Sequence, residues 1–240
     1  MKISVIITSY KYGKYLKAAI ESALKQSFDA AQFEIIVVYR ESGDETVAIL
    51  EEYKQTPNFR VIKQAGKGLA NASNLGIKNS SGEYVIRLDA DDIFYENILA
   101  EEAKVLDANP EVDFVYPDYV YYIEKENKRI RKYLPDFDKQ ELIGRGDFLS
   151  GGTMYRRVLF DKVGYFDESL QTLESYEYIL RLIHHNIRGY HLALPLFEYR
   201  LHVNSMSQNV ELGEKTGKMI ANKFGVNYTI GEHHPRRIEI

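Results

Sequence analysis

The run Val85–Tyr95, VIRLDADDIFY, constrains this chain more than any other stretch. Strand-forming residues deliver Asp89, Asp91 and Asp92 to the end of a strand, and a helix is expected from about Asn97. Three carboxylates within four residues repel one another unless a cation sits among them. A divalent metal is therefore the first expectation. The competing reading makes DADD a turn that caps the next helix, a role for which three acids are an over-supply.

What precedes this strand predicts the sheet that holds it. Ile3–Thr8 and Phe33–Val38 are short apolar, largely β-branched runs, the pattern of parallel strands covered on both faces. Between them Leu16, Ala19, Ile20, Ala23 and Leu24 follow helical spacing. Ser42 and Asp44 are candidate caps for a helix from Glu45 to Tyr53. Phe59–Ile62 reads as a third strand, Gln64–Gly68 as a glycine-rich turn and Leu69–Asn79 as a helix. This alternation predicts an α/β fold with a doubly wound, mostly parallel sheet between helices. Ligands of such sheets bind beyond the carboxyl ends of the strands, where the loops after Thr8, Val38, Ile62 and Leu88 gather.

The second half is less regular. A helix over Asn97–Ala108 and a strand over Val112–Tyr116 are expected, then a hairpin pairing Tyr119–Ile123 with Ile130–Leu134. Gly144–Gly152 reads as loop. A helix from Glu174 to His185 is expected to bury Ile179, Leu180, Leu182 and Ile183, followed by a final strand over Gly189–Leu194 and a modest helix near Lys215–Lys223. The division expected is one domain over 1–212, with halves over 1–107 and 108–212, and a C-terminal helix and tail over 213–240.

Composition removes several functions. The formal charge of −4, from 31 basic and 35 acidic residues, provides no basic face for a nucleic acid. The absence of cysteine excludes disulfides, thiolate metal sites and a cysteine nucleophile, and fits a reducing, cytoplasmic setting. Met1 leads directly into a strand-like run, so no signal peptide is expected. No apolar run approaches the length of a membrane span. Lys215, Lys218, Lys223, Arg236 and Arg237 allow at most a peripheral contact with the inner face of a membrane; a solvated helix is the simpler account.

Five segments resemble, in order and spacing, the family 2 inverting glycosyltransferases of the GT-A fold. They are SVIITSYKYGKYL with ESALKQSF, the second strand with ESGDET, GLANASNLGI before SGEYVIRLDADD, GGTMYRRVLFDKVGYFDESL, and ESYEYILRL followed by YRLHVNS. Together they cover roughly Lys2 to Ser207. The resemblance implies a nucleotide-diphosphate sugar donor, a Mg or Mn cofactor and a glycan or lipid-linked acceptor in cell-surface polysaccharide or glycolipid synthesis. It makes Asp91 the direct metal ligand, sets Asp89 toward the ribose and metal-bound water, and leaves Asp92 in support. Metal at that place stabilises charge growing on the leaving diphosphate. By the same resemblance Thr8 and Tyr10 line the nucleoside, Gly151, Gly152 and Thr153 open a small-residue stretch facing the acceptor, and His202 reaches the diphosphate or the metal. The plain alternatives are a packed loop tyrosine, an ordinary turn and a structural histidine.

Three positions depart from the family pattern. Tyr39 and Arg40 stand where an acidic pair is usual, and Ser73 stands where an arginine is common. Tyr39 can stack on a base, and Arg40 or Lys67 can pair with phosphate. Ser175 replaces the usual aspartate base, and Glu174 and Glu177 remain as candidates. Glu174, at the helix start, is preferred, because Glu177 sits four residues before Arg181 and can simply form a helical ion pair. The competing functions are a degenerate domain that binds a nucleotide sugar or glycan without turnover and, third, a sugar nucleotidyltransferase. The latter fits poorly with the single glycine of TSYKYGKYL.

Overall fold

The computed structural model describes residues 1–145, 149 and 151–228. Its first half alternates strand and helix: β1 Ile3–Ser9, α1 Gly13–Leu24, β2 Phe33–Tyr39, α2 Thr46–Tyr53, β3 Phe59–Lys63, α3 Leu69–Lys78 and β4 Tyr84–Asp89. It continues with β5 Ile93–Phe94, α4 Ile98–Ala108, β6 Phe114–Ile123, β7 Lys128–Lys132, α5 Lys139–Arg145, β8 Met154–Arg156, α6 Val158–Val163, α7 Glu174–His184, β9 Gly189–Leu201 and α8 Val210–Phe224.

Among the described residues these strands form one sheet in the order β3-β2-β1-β4-β8-β6-β9-β5, with β7 paired to β6. β3, β2, β1 and β4 are mutually parallel. Helices on both faces shield them, which is why Ile3, Val5, Ile6, Ile7 and Ile35–Val38 are all buried. The register sets Thr8 opposite Asp89 and Ser9 opposite Tyr39, so the ends of three strands reach the same edge. Asp44 caps as expected from just outside α2: its carboxylate accepts from Thr46 N at 3.2 Å and from Gly13 N at 3.0 Å.

Three expected strands are pieces of two longer ones. Phe114–Tyr116 of the expected Val112–Tyr116 and all of Tyr119–Ile123 belong to the single strand β6, and Gly189–Leu194 is only the first half of β9. The sequence pattern breaks at Pro117 and Pro195, which cannot donate to a ladder. The structure absorbs both prolines in one irregularity of the parallel β6/β9 pair, where Asp118 faces Pro195 and the register shifts on either side of Asp118. Beyond it the pairing resumes from Tyr119/Phe197 to Ile123/Leu201. That extension carries the YRLH segment back to the aspartates. The hairpin between β6 and β7 forms as expected, with Tyr119 opposite Lys132.

Strands β5 and β8, three residues or fewer, and the short helices α5 and α6 were not expected from the sequence. Helix α8 is longer than the stretch Lys215–Lys223 suggests. Asn209 caps it by accepting from Leu212 N at 3.1 Å, and Ile220 packs in a small cluster with Leu170, Tyr176 and Leu180. Its glycines weaken the local helical signal, yet at Gly217 an added Cβ would lie 2.3 Å from the Tyr228 ring. No helix among the described residues is long and apolar enough to cross a membrane. Of the expected loop Gly144–Gly152, residues 146–148 and 150 lie outside the described residues, as do Arg236 and Arg237.

One core residue works against stability. Glu102 on α4 is 0 % exposed, and neither carboxylate oxygen has a hydrogen-bond partner. Burial pushes its pKa well above the ordinary carboxylate range. A folded-state pKa above the unfolded one means that stability held at low pH is lost as pH rises toward the folded pKa. Glu102→Met is expected to raise unfolding stability by about 1–3 kcal/mol. The gain should be larger in urea unfolding at pH 8 than at pH 5.

Candidate active site

The carboxyl edge of the sheet opens into a cavity of about 580 Å³. Thr8, Tyr10, Arg40, Asp89, Asp91, Asp92 and Glu174, all expected site residues, line it. Asp89 ends β4 and accepts a hydrogen bond from Thr8 Oγ1 at 3.0 Å across the β1/β4 register. The chain turns at Ala90, and Asp92 N donates to Asp89 O at 3.0 Å, so the carboxylates crowd into one turn. Asp92 is 2 % exposed and accepts from Arg200 N at 2.9 Å. Burial first, and then the charges of Asp91 and Asp89, push its pKa well up. Burial likewise raises Asp91, against the opposing hydrogen bond from His202.

Arginines from two directions hold this turn. Arg200 on β9 donates Nε to Asp91 O at 2.9 Å, and its guanidinium stacks over Tyr15 and Tyr122. Arg87, two residues before Asp89 on β4, reaches Asp89 Oδ1 with Nε at 3.1 Å and Glu174 Oε1 with Nη1 at 3.0 Å. Buried between the two acids, its guanidinium stays charged, with its pKa raised further by their proximity despite the burial. Ser175 Oγ also donates to Glu174 Oε1, at 3.2 Å. Leu173, just before α7, and Lys11, just after β1, both line the cavity with φ of +61° and +64°. A left-handed backbone there costs a residue with a Cβ roughly 1–2 kcal/mol.

Residues 4–164 match the sequence model of Glycosyl transferase family 2. The chain belongs to that family. This family 2 glycosyltransferase is 28% identical over 189 residues to the uncharacterized glycosyltransferase YwdF of Bacillus subtilis, covering 75% of this chain and 68% of YwdF. It is 33% identical over 185 residues to an uncharacterized glycosyltransferase of Rickettsia prowazekii, covering 73% of this chain but 56% of that protein. To the poly(ribitol-phosphate) beta-N-acetylglucosaminyltransferase TarS of Staphylococcus aureus it is 33% identical over 109 residues, 45% of this chain and 19% of TarS. In fold it superposes on S. aureus TarS 1-349 in complex with UDP-GlcNAc at a TM-score of 0.77 and 21% identity, covering 96% of this chain and 68% of that one. The mannosyltransferase PcManGT of Pyrobaculum calidifontis, in complex with GDP-Man and Mn2+, superposes at 0.73 with 15% identity, covering 98% of this chain and 67% of that one. The expected GT-A type α/β architecture is thus the architecture found.

The remaining expected residues of this family 2 chain lie elsewhere. Glu177 is 1 % exposed and bound by Arg181 Nε at 2.9 Å and Lys223 Nζ at 2.9 Å, so it ties α7 to α8 and does not line the cavity. Ser73 is buried in α3 behind the cavity-lining Ala72, its hydroxyl without a partner. Tyr39 packs against the core and Lys67 is exposed; neither lines the cavity. Gly151, Gly152 and Thr153 do not line it either, but Gly151 is close to the acids: an added Cβ would sit 3.8 Å from Asp89 Oδ2 and from Asp92 Oδ2. Gly152 has φ +75°, and a Cβ there would meet the Phe197 ring at 2.6 Å.

His202 lies behind the cavity wall with Nε2 3.1 Å from Asp91 Oδ2. Its Nδ1 accepts from Asn204 N at 3.2 Å, so the ring proton of a neutral imidazole belongs on Nε2, facing Asp91. In this arrangement His202 orients the carboxylate and has no lone pair turned toward an ion. Sequence reasoning missed Arg87, Arg200 and Tyr12, whose hydroxyl donates to Asn204 O at 3.0 Å. Their types carry no pattern; only the fold brings them to the turn.

The fit to a divalent ion rests on the donor set. Among the described residues no three acidic or histidine side chains converge into a ready-made ligand cage. Mg2+ is commonly held by one or two carboxylates together with substrate phosphate oxygens, and Asp91 with Asp89 supplies that kind of partial shell. The raised pKa values of Asp91 and Asp92 mark a cluster short of positive charge. The residues fit the ion. Arg87→Met would leave Asp89 and Glu174 without their shared cation and is expected to cost about 3–5 kcal/mol. Urea unfolding measures this, and adding Glu174→Gln should recover part of the loss.

Proposed function

We propose that this chain is a metal-dependent inverting glycosyltransferase that moves a sugar from a nucleoside-diphosphate donor to a hydroxyl acceptor. The observation that carries the reading is the turn Asp89–Asp92 lining a cavity that Glu174, tied to Asp89 through Arg87, also lines. The nucleotide sugars bound by TarS and PcManGT support such a donor. TarS, whose name gives a poly(ribitol-phosphate) acceptor, supports a role in cell-surface polymer or glycolipid synthesis.

Bound Mg or Mn would neutralise charge on the leaving diphosphate. Asp91 and Asp89 are the residues to hold the ion, with His202 donating to Asp91 to fix its carboxylate plane. Thr8 holds Asp89, and Arg87 keeps Asp89 and Glu174 in a constant relation. Glu174 is the one cavity-lining carboxylate outside the aspartate turn among the described residues. It accepts the proton of the attacking hydroxyl as the bond from the anomeric carbon to the diphosphate breaks. Its Oε1 already accepts from Arg87 Nη1 and Ser175 Oγ, which leaves Oε2 to take the proton.

Calorimetry with UDP-GlcNAc and GDP-Man, with and without Mn2+, together with product analysis, tests the reading. Asp91→Asn should abolish the Mn2+-dependent part of donor binding; full transfer by this variant would exclude the metal mechanism. Glu174→Gln should lower transfer by roughly 10²- to 10⁴-fold with donor binding intact. Glu177→Gln should instead lower the melting temperature and leave turnover nearly unchanged, because its carboxylate is confined to the α7/α8 contact.

A further inference from the structure

The end of the cavity away from the aspartates has a distinct chemistry. Arg40 follows β2 and is pinned through its backbone, Arg40 N donating to Ser9 O at 3.0 Å. Its guanidinium lies over the Tyr10 ring at 4.7 Å, and Lys11 Nζ lies 5.4 Å from the same ring. Tyr10 itself is 41% exposed and lines the cavity. The lining here is completed by Ser9, Gln64, Gly68 and Ala72. Gln64 is occupied within the chain, its amide donating to Gly68 O at 3.0 Å and Asn71 Oδ1 at 2.9 Å. The four carboxylates that line the cavity all belong to the aspartate turn or to Glu174. Both charged groups at the Tyr10 end are cations.

Strand order places this end relative to the metal station. Asp89 ends β4, Thr8 lies beside it on β1, and Arg40 follows β2, one strand further. Two interstrand spacings, about 10 Å, separate the two stations. A ribose and a base fill that length when the diphosphate is at the aspartates. A flat base entering along the partly exposed Tyr10 ring meets, edge on, the guanidinium that covers part of that ring.

We propose that Arg40 reads the edge of the donor's nucleobase and selects a base with two adjacent hydrogen-bond acceptors, namely cytosine through O2 and N3 or guanine through O6 and N7. This rests on the donor reading above. A guanidinium has five N–H donors and no acceptor, so it pairs in bidentate fashion with two neighbouring acceptors. Uracil sets an N3–H between its carbonyls, and adenine alternates donor with acceptor; each leaves one arm of the fork unmatched. One bidentate pair of this kind corresponds to roughly 10-fold or more in affinity.

The test is calorimetric titration of the full chain in Mn2+ with UDP, CDP, GDP and ADP. CDP or GDP should bind at least roughly 10-fold tighter than UDP and ADP, and the comparison of CDP with GDP tells which acceptor pair is read. Arg40→Ala should erase the difference, and Arg40→Lys, which keeps the charge but loses the fork, should erase most of it. Tightest binding of UDP or ADP to the unaltered chain overturns the proposal. Equal weakening of all four nucleotides by Arg40→Ala overturns it as well, since that is the signature of a phosphate contact. Absence of binding by any nucleoside diphosphate removes the donor reading itself, a result distinct from binding with the wrong base preference. Arg40 is partly exposed at a strand end, so both variants should keep the melting temperature of the parent, which confirms that the comparison is made on folded protein.

Discussion

Buried carboxylates and a short supply of cations govern the functional edge of this protein. Asp91 and Asp92 sit in a turn where burial disfavours their charge, and the neighbouring Asp89 adds repulsion. Each is held by a contact from a distant part of the chain, Asp89 by Thr8, Asp92 by the backbone of Arg200 and Asp91 by His202, and Arg87 holds Asp89 from two residues away. Glu174 joins through the other arm of Arg87. These contacts fasten the end of β9 and the start of α7 to the end of β4. The two halves of the chain, joined in one sheet, are tied together there as well.

The same shortage explains how the site suits an ion without forming a cage for it. A complete protein ligand set would settle the charge without substrate. A partial set of two carboxylates would be completed by the phosphate oxygens of the proposed donor, which would couple ion and donor in one event. The positioning groups are fixed in advance: Gly152 N donates to Arg87 O at 2.9 Å, and the Phe197 ring leaves no room for a Cβ on that glycine. Behind the cavity, Asn74 ties α3 to the segment before α7, bonding both ways with the Phe166 backbone at 2.9 and 3.0 Å. Such rigid surroundings make electrostatic stabilisation effective, because little reorganisation is left for the reaction itself.

Much of the first half was legible in the chain. The continuous β-branched runs of β1 and β2 need cover on both faces, and the helical spacing between them supplies it. The acidic turn announced its own location because three acids within four residues repel one another. The second half was read less well for a specific reason. Pro117 and Pro195 each look like a strand end, and only their placement around one shared irregularity allows β6 and β9 to run on. The rest of the site depends on that extension, since Arg200 and His202 lie beyond the second proline.

The sequence by itself determined the parallel sheet, the edge at which a ligand would lie, and the acidic turn at that edge, because periodicity and charge repulsion are local properties. Tertiary structure alone decided which groups answer the acids. Arg87 and Arg200 have no distinguishing pattern, and Glu174 and Glu177 are indistinguishable by type. Burial against different partners separates those two: Glu177 is enclosed by Arg181 and Lys223, while Glu174 faces the cavity from its ion pair with Arg87. The physical reason is that the meaning of a charge is set by its dielectric and its neighbours, and both are made by contacts between residues far apart in the chain.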